Sequence, residues 1–561
     1  MGRWIVTCAW PYINAVPHLG TLVQLLSADV YARYLRKAGE EVVFVSGSDE
    51  HGTPIEVEAM KKGISPRELT DKMHNYFLKL INEYGISFDN YTRTESSTHI
   101  SFVREFYMKV YENGYVFERE SEQLFCQKDG IFLPDRFVEG KCPYCGYERA
   151  KGDQCEMCGR LLNPTDLIDP RCAICGERPV IRSTKHWYFD LPKLEKELVE
   201  YINSTSSLPE NARSMSLSMI REGLKPRALT RDNKWGIPSP FPGSEGKTIY
   251  VWMEAVLGYI SATKEYFERA GNSDEFNKFW KEKSTKSVYF IGKDNIPFHV
   301  IILPALIMAS KEGYVLPFNV SSTEFLNYEG DKFSKSRRWG VWLDEAILLL
   351  EADYWRYYLI AIRPETRDSN FSWKDFVMKI NNELNDILGN FVHRALIFLR
   401  DRYESRVPEA PLDGIMEEVY KTAERSLEEL SSFKLRDSLR SVMDIARIGN
   451  KYLNESEPWR KYKENRKEAD IIMKTAIQII KTIAIYIEPF MPFTAEKIWR
   501  MLNLEGDVHK VGYENAFDEV LGGHRISEVR PLFSKVKEEE LREKLDAIRR
   551  GEFGPLMSLE Q

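Results

Sequence analysis

The chain has 561 residues, of which 43% are hydrophobic and 29% are charged, and its formal net charge is -7. A chain of this length is too long to fold around one ordinary hydrophobic core, so we expect a soluble globular protein of three or four domains. No stretch approaches the roughly 20 apolar residues of a membrane span, and the start lacks a signal peptide, which predicts a cytoplasmic protein with no membrane partner.

The first fifty residues predict a strand, a helix and a second strand. Residues 5–9 form an apolar run typical of a buried strand, and residues 19–38 have the periodicity of an amphipathic helix that ends before Gly39. Residues 42–45 form a second apolar strand, followed by a polar loop. This order is a βαβ unit, which predicts a parallel sheet, with further helices up to about residue 113.

The middle of the chain predicts an insertion within that sheet. Residues 115–226 contain three C-x-x-C pairs, many Gly and Pro turns and short apolar runs. Strand signals resume at residues 248–252 and 287–291, followed by helical patterns at 253–269 and 297–310. From about residue 375 repeated helical patterns predict a bundle that continues to the end, where the last ~25 charged residues predict a solvated helix.

The cysteines predict a metal site rather than disulfides. Seven of the eight lie between Cys126 and Cys175, and a cytoplasmic chain rarely forms disulfides. Two knuckles supply four thiolates that suit a tetrahedral structural zinc ion. These four ligands are Cys142, Cys145, Cys155 and Cys158. Cys8, alone in the first strand, is expected to be a core thiol.

Two short motifs suggest phosphate chemistry. Pro17-His18-Leu19-Gly20 stands where a strand meets a helix, whose free N–H groups favour phosphate, so His18 can hydrogen-bond ATP there. The loop Lys332-Phe333-Ser334-Lys335-Ser336 carries two lysines among small residues, which can close on a polyphosphate. Taken singly, each has an ordinary alternative: a capping loop with an incidental histidine, and a solvated basic loop.

Together the two motifs resemble the two signatures of class I aminoacyl-tRNA synthetases. Residues 48–54, 132–137, 250–252 and 290–299 extend the resemblance to methionyl-tRNA synthetases, especially the archaeal branch. The match runs from residue 5 to about residue 533 and implies a methionine–tRNA ligase. Such an enzyme activates L-methionine with Mg-ATP to methionyl-adenylate and transfers it to the 3′ end of tRNA(Met).

The expected fold class is α/β, with a Rossmann-like parallel sheet split by a zinc-knuckle insertion and followed by an all-α anticodon-binding helix bundle. The expected divisions are a first catalytic half (1–114), the insertion (115–226), a second catalytic half (227–320), a stem-contact region with the lysine loop (321–375), the anticodon-binding domain (376–535) and a C-terminal helical tail (536–561).

The resemblance also implies the site residues. The catalytic group would be His18, Arg231, Lys332 and Lys335. The ATP-binding group would be Pro17, His18, Gly20, Thr21, Lys293, Asp294, Lys332, Ser334 and Lys335. The methionine-binding group would be Ala9, Trp10, Tyr12, Asp49, Trp252, Ala255, Tyr259 and His299. Asp49 would pair with the substrate ammonium, and Arg231 would meet the carboxylate or the α-phosphate. Ordinary core packing is the alternative for the aromatic residues.

The anticodon would be bound by Asn390, Arg394 and Trp459. Asn390 and Arg394 are four residues apart and share a helix face, while Trp459 follows Pro458 at a predicted helix start capped by Ser456. A tryptophan ring stacks on bases, and amide and guanidinium groups bind their edges. The alternative is a core tryptophan beside a solvated arginine.

The chain departs from the family pattern at several positions. Thr21 replaces the second histidine of the first signature, Phe333 replaces a methionine, and Val256 stands where some members have proline. Asp129 stands where a fourth cysteine often joins Cys126, Cys172 and Cys175, so this second set is either a Cys3Asp zinc site or an unoccupied knuckle. The chain lacks the C-terminal tRNA-binding module of some members, which favours a monomer that can work with a separate tRNA-binding protein.

Three other functions fit part of the pattern. A synthetase for leucine, isoleucine or valine would need a large editing domain, and one for cysteine would need an open metal site. A nucleotidyltransferase that never binds tRNA leaves the helical C-terminal half unexplained. A zinc-dependent RNA-binding protein without catalysis leaves the lysine loop unexplained.

Overall fold

The computed structural model describes residues 2–152, 155, 157–158, 162–335 and 337–559. Ser336 of the predicted lysine loop lies outside these residues, and so does the side chain of Asp135 in the 132–137 motif.

Sixteen strands occur in the described ranges. They are β1 (Arg3–Cys8), β2 (Glu41–Ser48), β3 (Asn90–Arg93), β4 (Val116–Cys126), β5 (Ile131–Phe132), β6 (Val138–Lys141), β7 (Ala150–Lys151), β8 (Ile168–Cys172), β9 (Val180–Phe189), β10 (Arg227–Ala228), β11 (Thr230–Arg231), β12 (Thr248–Ile249), β13 (Lys286–Gly292), β14 (Asn319–Thr323), β15 (Leu326–Tyr328) and β16 (Ser369–Phe371).

Twenty α-helices occur in the same ranges. They are α1 (Leu19–Lys37), α2 (Thr53–Lys62), α3 (Pro66–Glu83), α4 (Ser97–Glu112), α5 (Glu195–Ser204), α6 (Glu210–Arg221), α7 (Val251–Ala255), α8 (Gly258–Arg269), α9 (Ser273–Lys281), α10 (Leu303–Ser310), α11 (Leu343–Leu349), α12 (Ala352–Ala361), α13 (Trp373–Lys379), α14 (Asn390–Arg402), α15 (Ile415–Ser431), α16 (Leu435–Ser456), α17 (Pro458–Glu464), α18 (Arg466–Ile487), α19 (Pro492–Met501) and α20 (Glu538–Arg549). No helix in the described part of the chain combines the length and the apolar character that a bilayer crossing requires.

The predicted split parallel sheet is confirmed. Its five strands lie in the order β14-β13-β1-β2-β3, and every neighbouring pair is parallel. Strand β1 is central because its apolar residues are buried on both faces, and Ile5 pairs with Ser287 on one side and Val43 on the other. The carboxyl ends of these strands define the cleft where parallel sheets bind ligands.

One predicted strand is wrong. Residues 248–252 do not join the parallel sheet: β12 pairs antiparallel with β11, and Trp252 lies in helix α7. The apolar run is short, and such a run does not distinguish a strand from a buried helical turn.

The insertion is built on a long antiparallel ribbon. Strands β4 and β9 pair from Val116 opposite Phe189 to Phe125 opposite Val180, and the cysteine-bearing segments follow the Phe125–Val180 end of this ribbon. At its far end a small core buries Leu133, Phe137 and Val138 together with cysteine side chains.

The C-terminal half is mostly helical, as predicted, but two details differ. Residues 502–537 contain only a short 3₁₀ turn, Tyr513–Ala516, rather than continuous helix. Helix α20 is not simply solvated, because Leu541, Leu545 and Ile548 form a stripe on one face that is buried. Arg549 at its end donates to Glu345 of α11 at 2.8 Å.

Candidate functional site

His18 is the capping residue immediately before helix α1. Its backbone is extended, and its Nδ1 accepts a hydrogen bond from the N–H of Gly20 at 3.1 Å. Burial lowers the pKa of His18 to about 4, so the ring is neutral near pH 7. Because Nδ1 is the acceptor, the ring proton lies on Nε2, where it can be donated to an anion at the helix N-terminus.

Phe333 of the lysine loop lies directly against His18. The two rings are parallel, with 4.2 Å between centroids and 7° between planes. Gly340, at φ 148°, leaves room for this ring, since a Cβ there would come within 2.5 Å of the Phe333 side chain. The aromatic residue that replaces the family's methionine therefore joins the loop to the first signature.

The loop lysines lie beside other groups in this conformation. The Lys332 ammonium is 5.6 Å from the centre of the Phe325 ring, and Lys335 is within electrostatic reach of Glu58 and Lys62 on α2. The backbone of Ser334 exchanges two hydrogen bonds with Trp339, which closes the loop at its base.

Lys293 and Asp294 follow the carboxyl end of β13. Lys293 forms ion pairs with Glu324 at 2.6 Å and with Asp368 at 3.2 Å, and its ammonium lies 4.2 Å from the centre of the Phe325 ring. Burial raises the pKa of Asp294. Two lysines from separate motifs, Lys293 and Lys332, therefore share one aromatic ring at this edge of the cleft.

Pro17 and Thr21 of the predicted ATP-binding group make backbone hydrogen bonds on either side of His18. The carbonyl of Pro17 accepts from the N–H of Leu343 at 3.0 Å, which joins the signature to the start of α11. The N–H of Thr21 donates to the His18 carbonyl at 3.0 Å in the first turn of α1.

Asp49 is a buried carboxylate at the end of β2. Its backbone N–H donates to the Pro11 carbonyl at 2.9 Å, and its own carbonyl accepts from the N–H of Ile13 at 3.1 Å. These bonds join the loop after β2 to the loop after β1. In the described residues Oδ1 of Asp49 has no hydrogen-bond partner, although it is buried. Burial and the nearby Glu254 raise the pKa of Asp49, and an incoming ammonium group would satisfy this carboxylate.

A buried charged centre that the sequence did not reveal supports the Asp49 loop. His51 contacts Glu254 through Nδ1 at 2.5 Å and Glu95 through Nε2 at 2.6 Å. Burial disfavours its charge, but Glu254 and Glu95 outweigh burial and raise the pKa of His51 to about 10. Its carbonyl also accepts the Tyr12 hydroxyl at 2.6 Å. Glu95 and Glu254 carried no local signal, since each was one acidic residue among many.

Of the predicted methionine-binding residues, Ala9 and Trp10 follow the carboxyl end of β1, while Tyr259 of α8 and His299 of the helical segment 297–302 contact each other. The Ala9 N–H donates to the Phe290 carbonyl at 3.0 Å. The Trp10 ring is buried against Gly47 and Gly258, where a Cβ would come within 2.7 and 2.5 Å of it. The Tyr259 hydroxyl lies 2.7 Å from Nε2 of His299, whose Nδ1 donates to a carbonyl.

Burial lowers the pKa of His299 to about 4, so the Tyr259–His299 pair is neutral. The wall they form is aromatic and uncharged, which suits an apolar or thioether side chain.

A second part of the cleft is an open cavity of about 310 Å³. Its lining comprises Tyr12, Asn14, Gly52, Thr53, Pro54, Arg136, Arg231, Asn233, Ile249, Tyr250, Val251 and Trp252. The cavity therefore brings together Tyr12, Arg231 and Trp252, three of the predicted residues. Ala255 lies one turn after Trp252, at the end of α7.

Arg231 is held by its neighbours. Its guanidinium carbon lies 3.8 Å from the centre of the Tyr250 ring. The next residue, Asp232, accepts from Lys247 at 2.5 Å and pairs with His186 of β9 at 2.9 Å. Burial opposes ionisation of Asp232, but these two partners lower its pKa to about 2. The insertion thus anchors the arginine.

The cysteine sets form two clusters that can each hold a metal ion. One contains Cys142, Cys145, Cys155 and Cys158, the other Cys126, Asp129, Cys172 and Cys175, and within each set the ligand atoms lie within 4.8 Å of one another. A tetrahedral zinc ion with 2.3 Å bonds sets its sulfurs about 3.8 Å apart.

The first cluster contains a sulfur–sulfur distance close to this value, and the second cluster includes a carboxylate in its ligand set. Cys142 and Cys158 have their sulfurs 3.9 Å apart, and Cys126 lies 3.0 Å from the Asp129 carboxylate. All eight cysteines are free of disulfides. Asp129 therefore occupies the position of a fourth ligand.

The predicted anticodon residues lie in the helical half. A cavity of about 440 Å³ is lined by both Arg394 and Trp459, and the guanidinium carbon lies 5.1 Å from the centre of the indole ring, which is 40% exposed. Arg394 also donates to Asn454 at 2.7 Å. Asn390 is exposed one turn earlier on α14, outside the cavity lining.

The predicted cap at the Trp459 helix is wrong. Ser456 is the last residue of α16, and Glu457, at φ 43°, precedes α17. Because Glu457 is in the left-handed conformation, α17 follows α16 with only this one residue between them. Ser456 therefore belongs to α16 and is not available as the cap that its residue type predicts.

The chain matches two known protein families and full-length relatives. Residues 4–396 match the family of class I tRNA synthetases (M), and residues 409–549 match the anticodon-binding domain of methionyl-tRNA ligase. The methionine–tRNA ligase of Korarchaeum cryptofilum is 62% identical over 98% of this chain and 99% of its own length. That of Pyrobaculum aerophilum is 52% identical over the full length of both chains.

A solved structure shows the same fold. Mycobacterium tuberculosis methionyl-tRNA synthetase in complex with methionyl-adenylate matches 95% of this chain and 100% of its own, with a TM-score of 0.79. At 22% sequence identity this likeness concerns the fold alone. The family match over most of the chain and the full-length relatives lead to one conclusion: the chain belongs to the methionyl-tRNA synthetase family of class I.

Proposed function

We propose that this cleft activates L-methionine with ATP and transfers it to the 3′ end of tRNA(Met). One observation carries the proposal: the neutral His18, which offers an Nε2 proton, and the buried Asp49, with its unpartnered oxygen, lie after two neighbouring strands of one sheet. The first suits a phosphate and the second an ammonium group, so together they suit an amino acid beside ATP.

In the first step a methionine carboxylate oxygen attacks the α-phosphorus of ATP. The bond from the α-phosphorus to its bridging oxygen breaks, and pyrophosphate leaves with that electron pair. His18 donates from Nε2 to the phosphate, and Lys332 and Lys335 offset the negative charge that grows on the leaving group. Magnesium bound to ATP would neutralise part of the phosphate charge. No side chain acts as a nucleophile, so catalysis rests on position and charge.

In the second step a hydroxyl of the terminal ribose of the tRNA attacks the carbonyl carbon of methionyl-adenylate. The bond from that carbon to the phosphate oxygen breaks, the hydroxyl proton passes to the departing phosphate, and AMP leaves. Throughout both steps Asp49 would hold the ammonium group. The Tyr259–His299 pair would face the side chain, where its neutral, aromatic surface favours a thioether over a charged group.

The direct test is amino-acid-dependent ATP–pyrophosphate exchange. Methionine, leucine, isoleucine, valine and cysteine are offered separately to the same enzyme, and only methionine is expected to support exchange. Exchange with another of these amino acids would show that the side-chain pocket is misassigned. Exchange with none would contradict the proposed reaction.

The anticodon assignment predicts a selective loss of tRNA recognition. Replacing Trp459 or Arg394 with alanine removes a stacking face or a guanidinium, so kcat/KM for aminoacylation should fall about 10- to 100-fold through KM for tRNA. Pyrophosphate exchange should change far less. Phe517→Ala is the matched control, because this ring is also exposed in the helical half. Equal losses in exchange and aminoacylation would contradict the assignment.

We further propose that both cysteine clusters bind zinc and that the ions are structural. Metal analysis should find two zinc ions per chain, about one after Cys145→Ser and about one after Asp129→Ala. Cys8→Ala is the control, because Cys8 lies in β1, outside both clusters. If Asp129→Ala left the zinc content unchanged, the second set would be an unoccupied knuckle.

We also propose the domain divisions predicted from the sequence and a monomeric state for the protein. Mass measurement in solution should give a species near the 65.4 kDa of one chain. A second polypeptide that binds tRNA is compatible with this reading, and co-purification of such a protein would add to the proposal rather than replace it.

A further inference from the structure

The lysine loop is followed by a short run, residues 338–343, here named the return segment, which pairs with the first signature. The N–H of Leu19 donates to the Val341 carbonyl at 3.2 Å. The N–H of Leu343 donates to the Pro17 carbonyl at 3.0 Å. The position of the return segment therefore sets how the lysine loop lies relative to the first signature.

The return segment also fixes the aromatic contact between the loop and His18. A Cβ at Gly340 would come within 2.5 Å of the Phe333 ring, and that ring stacks on His18 with 4.2 Å between centroids. Ser334 and Trp339 exchange two backbone hydrogen bonds of 2.9 Å, so the loop and its return segment form one hairpin. A displacement of the segment would therefore displace the loop.

Helix α20 contacts the return segment through Arg549. The guanidinium donates from Nη2 to the Gly340 carbonyl at 2.7 Å, and it binds both carboxylate oxygens of Glu345 at 2.8 and 3.0 Å. The apolar stripe of α20 is buried, so this helix is a fixed support rather than a solvated arm. Arg549 thus connects a packed helix to the segment that carries the loop.

Glu345 is a fully buried carboxylate on which these contacts converge. Besides Arg549, it accepts from Nη2 of Arg338 at 3.0 Å and from the N–H of Trp342 at 3.1 Å, and both of these residues belong to the return segment. A buried carboxylate needs paired charge and hydrogen bonds, and here the return segment supplies one guanidinium and α20 supplies the other. Loss of Arg549 would leave Glu345 short of one cation and the Gly340 carbonyl without this donor.

The chemistry assigned to the loop belongs to one step of the reaction. Lys332 and Lys335 offset the charge that grows on the leaving pyrophosphate, and such stabilisation is effective only when the charged groups are held in place beforehand. Transfer to tRNA releases no pyrophosphate. Methionine itself is assigned to Asp49 and the aromatic wall. Neither transfer nor methionine binding should therefore depend on the return segment.

We propose that Arg549 is a positioning residue for the activation step, which holds the return segment so that the lysine loop stays aligned with His18; the inference rests on the proposed function. Arg549 acts through Gly340 and Glu345 rather than on the substrate. Helix α20, which lies more than 500 residues after His18 in the sequence, thereby takes part in the first chemical step.

The test separates three properties of one variant. They are pyrophosphate exchange at saturating methionine and ATP, single-turnover transfer from preformed enzyme-bound methionyl-adenylate to tRNA, and calorimetric binding of methionine without ATP. Arg549→Met should slow exchange about tenfold and leave transfer and methionine binding within about twofold of wild type. Arg549→Lys keeps the charge but loses the fork geometry, so it should recover only part of the exchange rate.

Arg550→Met is the matched control, because Arg550 is the neighbouring arginine and forms an exposed pair with Glu552 at 2.7 Å. It should leave all three properties within about twofold of wild type. Arg338→Met is the second variant, since it removes the other guanidinium from Glu345, and it takes the place of Arg549→Met if that protein does not fold. It should show the same selective loss of exchange.

Failure of the inference and failure of the proposed function give different results. Absence of exchange in wild type would contradict the proposed function itself. With an active wild type, exchange as fast in Arg549→Met as in Arg550→Met would overturn the inference. Equal losses of exchange, transfer and methionine binding would also overturn it, because they would show that Arg549 supports only the overall stability of the protein.

Discussion

Replacing His18 with asparagine is expected to lower the rate of methionine-dependent pyrophosphate exchange by about 10²- to 10³-fold. Asparagine keeps a side-chain acceptor for the N–H of Gly20, so the start of α1 is preserved. It has no donor at the position of Nε2, and so it removes the hydrogen bond to the phosphate. The exchange rate at saturating methionine and ATP is the measurement.

His18→Gln is the matched variant for this prediction. Its amide nitrogen reaches about as far as Nε2, so it should recover part of the rate while it weakens the helix cap. If His18→Asn were as active as wild type, the proposed role of Nε2 would be wrong. If glutamine were no better than asparagine, restoring a donor near the position of Nε2 would not restore the rate, and this result would contradict the proposed role of that donor.

The neutral state of His18 adds a pH dependence with a definite sign. Because burial lowers its pKa from 6.5 to about 4, the active neutral form persists well below pH 6.5, and exchange should show no inflection there from this residue. The unfolded chain takes up the proton first as pH falls. The contribution of His18 to stability is therefore complete above pH 6.5 and is lost between about pH 6.5 and pH 4.

The second large effect is expected at Arg356, which is fully buried in α12. It donates to Asp29 of α1 at 2.6 Å and to the carbonyls of Tyr84, Pro489 and Phe490 at 2.9–3.1 Å. Arg356→Met removes every one of these bonds and leaves buried acceptors without partners. We expect a loss of about 3–5 kcal/mol in the free energy of unfolding.

Urea denaturation followed by circular dichroism measures this effect, with the first transition used if the domains unfold separately. Arg440→Met is the control, because Arg440 pairs with Asp437 on the exposed surface of α16. Loss of this exposed pair should lower the free energy of unfolding by less than about 1 kcal/mol. The double variant with Asp29→Leu should lose less than the sum of the single variants, since both remove the same pair. Additive losses would show that Asp29 and Arg356 are not coupled.

Arg356 also explains how the two halves of the chain are joined. Helix α1 begins after His18 at the cleft and carries Asp29 and Arg33, and Arg33 contacts Glu488 beyond the end of α18 at 2.5 Å. Nothing local in the sequence predicts this cluster, because Asp29 and Arg356 are 327 residues apart. Buried charges are retained in pairs, but sequence does not say which residues pair.

Features that depend on short spacing along the chain could be predicted from the sequence alone. The βαβ start, the knuckle ligands and the shared helix face of Asn390 and Arg394 follow from residues a few positions apart, because backbone geometry fixes where neighbouring side chains point. The family resemblance supplied the fold class and the reaction, which the comparisons confirm. The roles assigned to single site residues remain predictions.

Contacts between residues far apart in the chain could not be predicted and are seen only in the folded protein. In the folded chain Phe333 stacks on His18, Glu95 and Glu254 contact His51, and Arg549 of α20 contacts Glu345. Residues 502–537 are also mostly irregular, although the pattern of their neighbours predicted helix. Each outcome depends on packing between segments far apart in the chain, where the available partner and the burial it provides outweigh local preference.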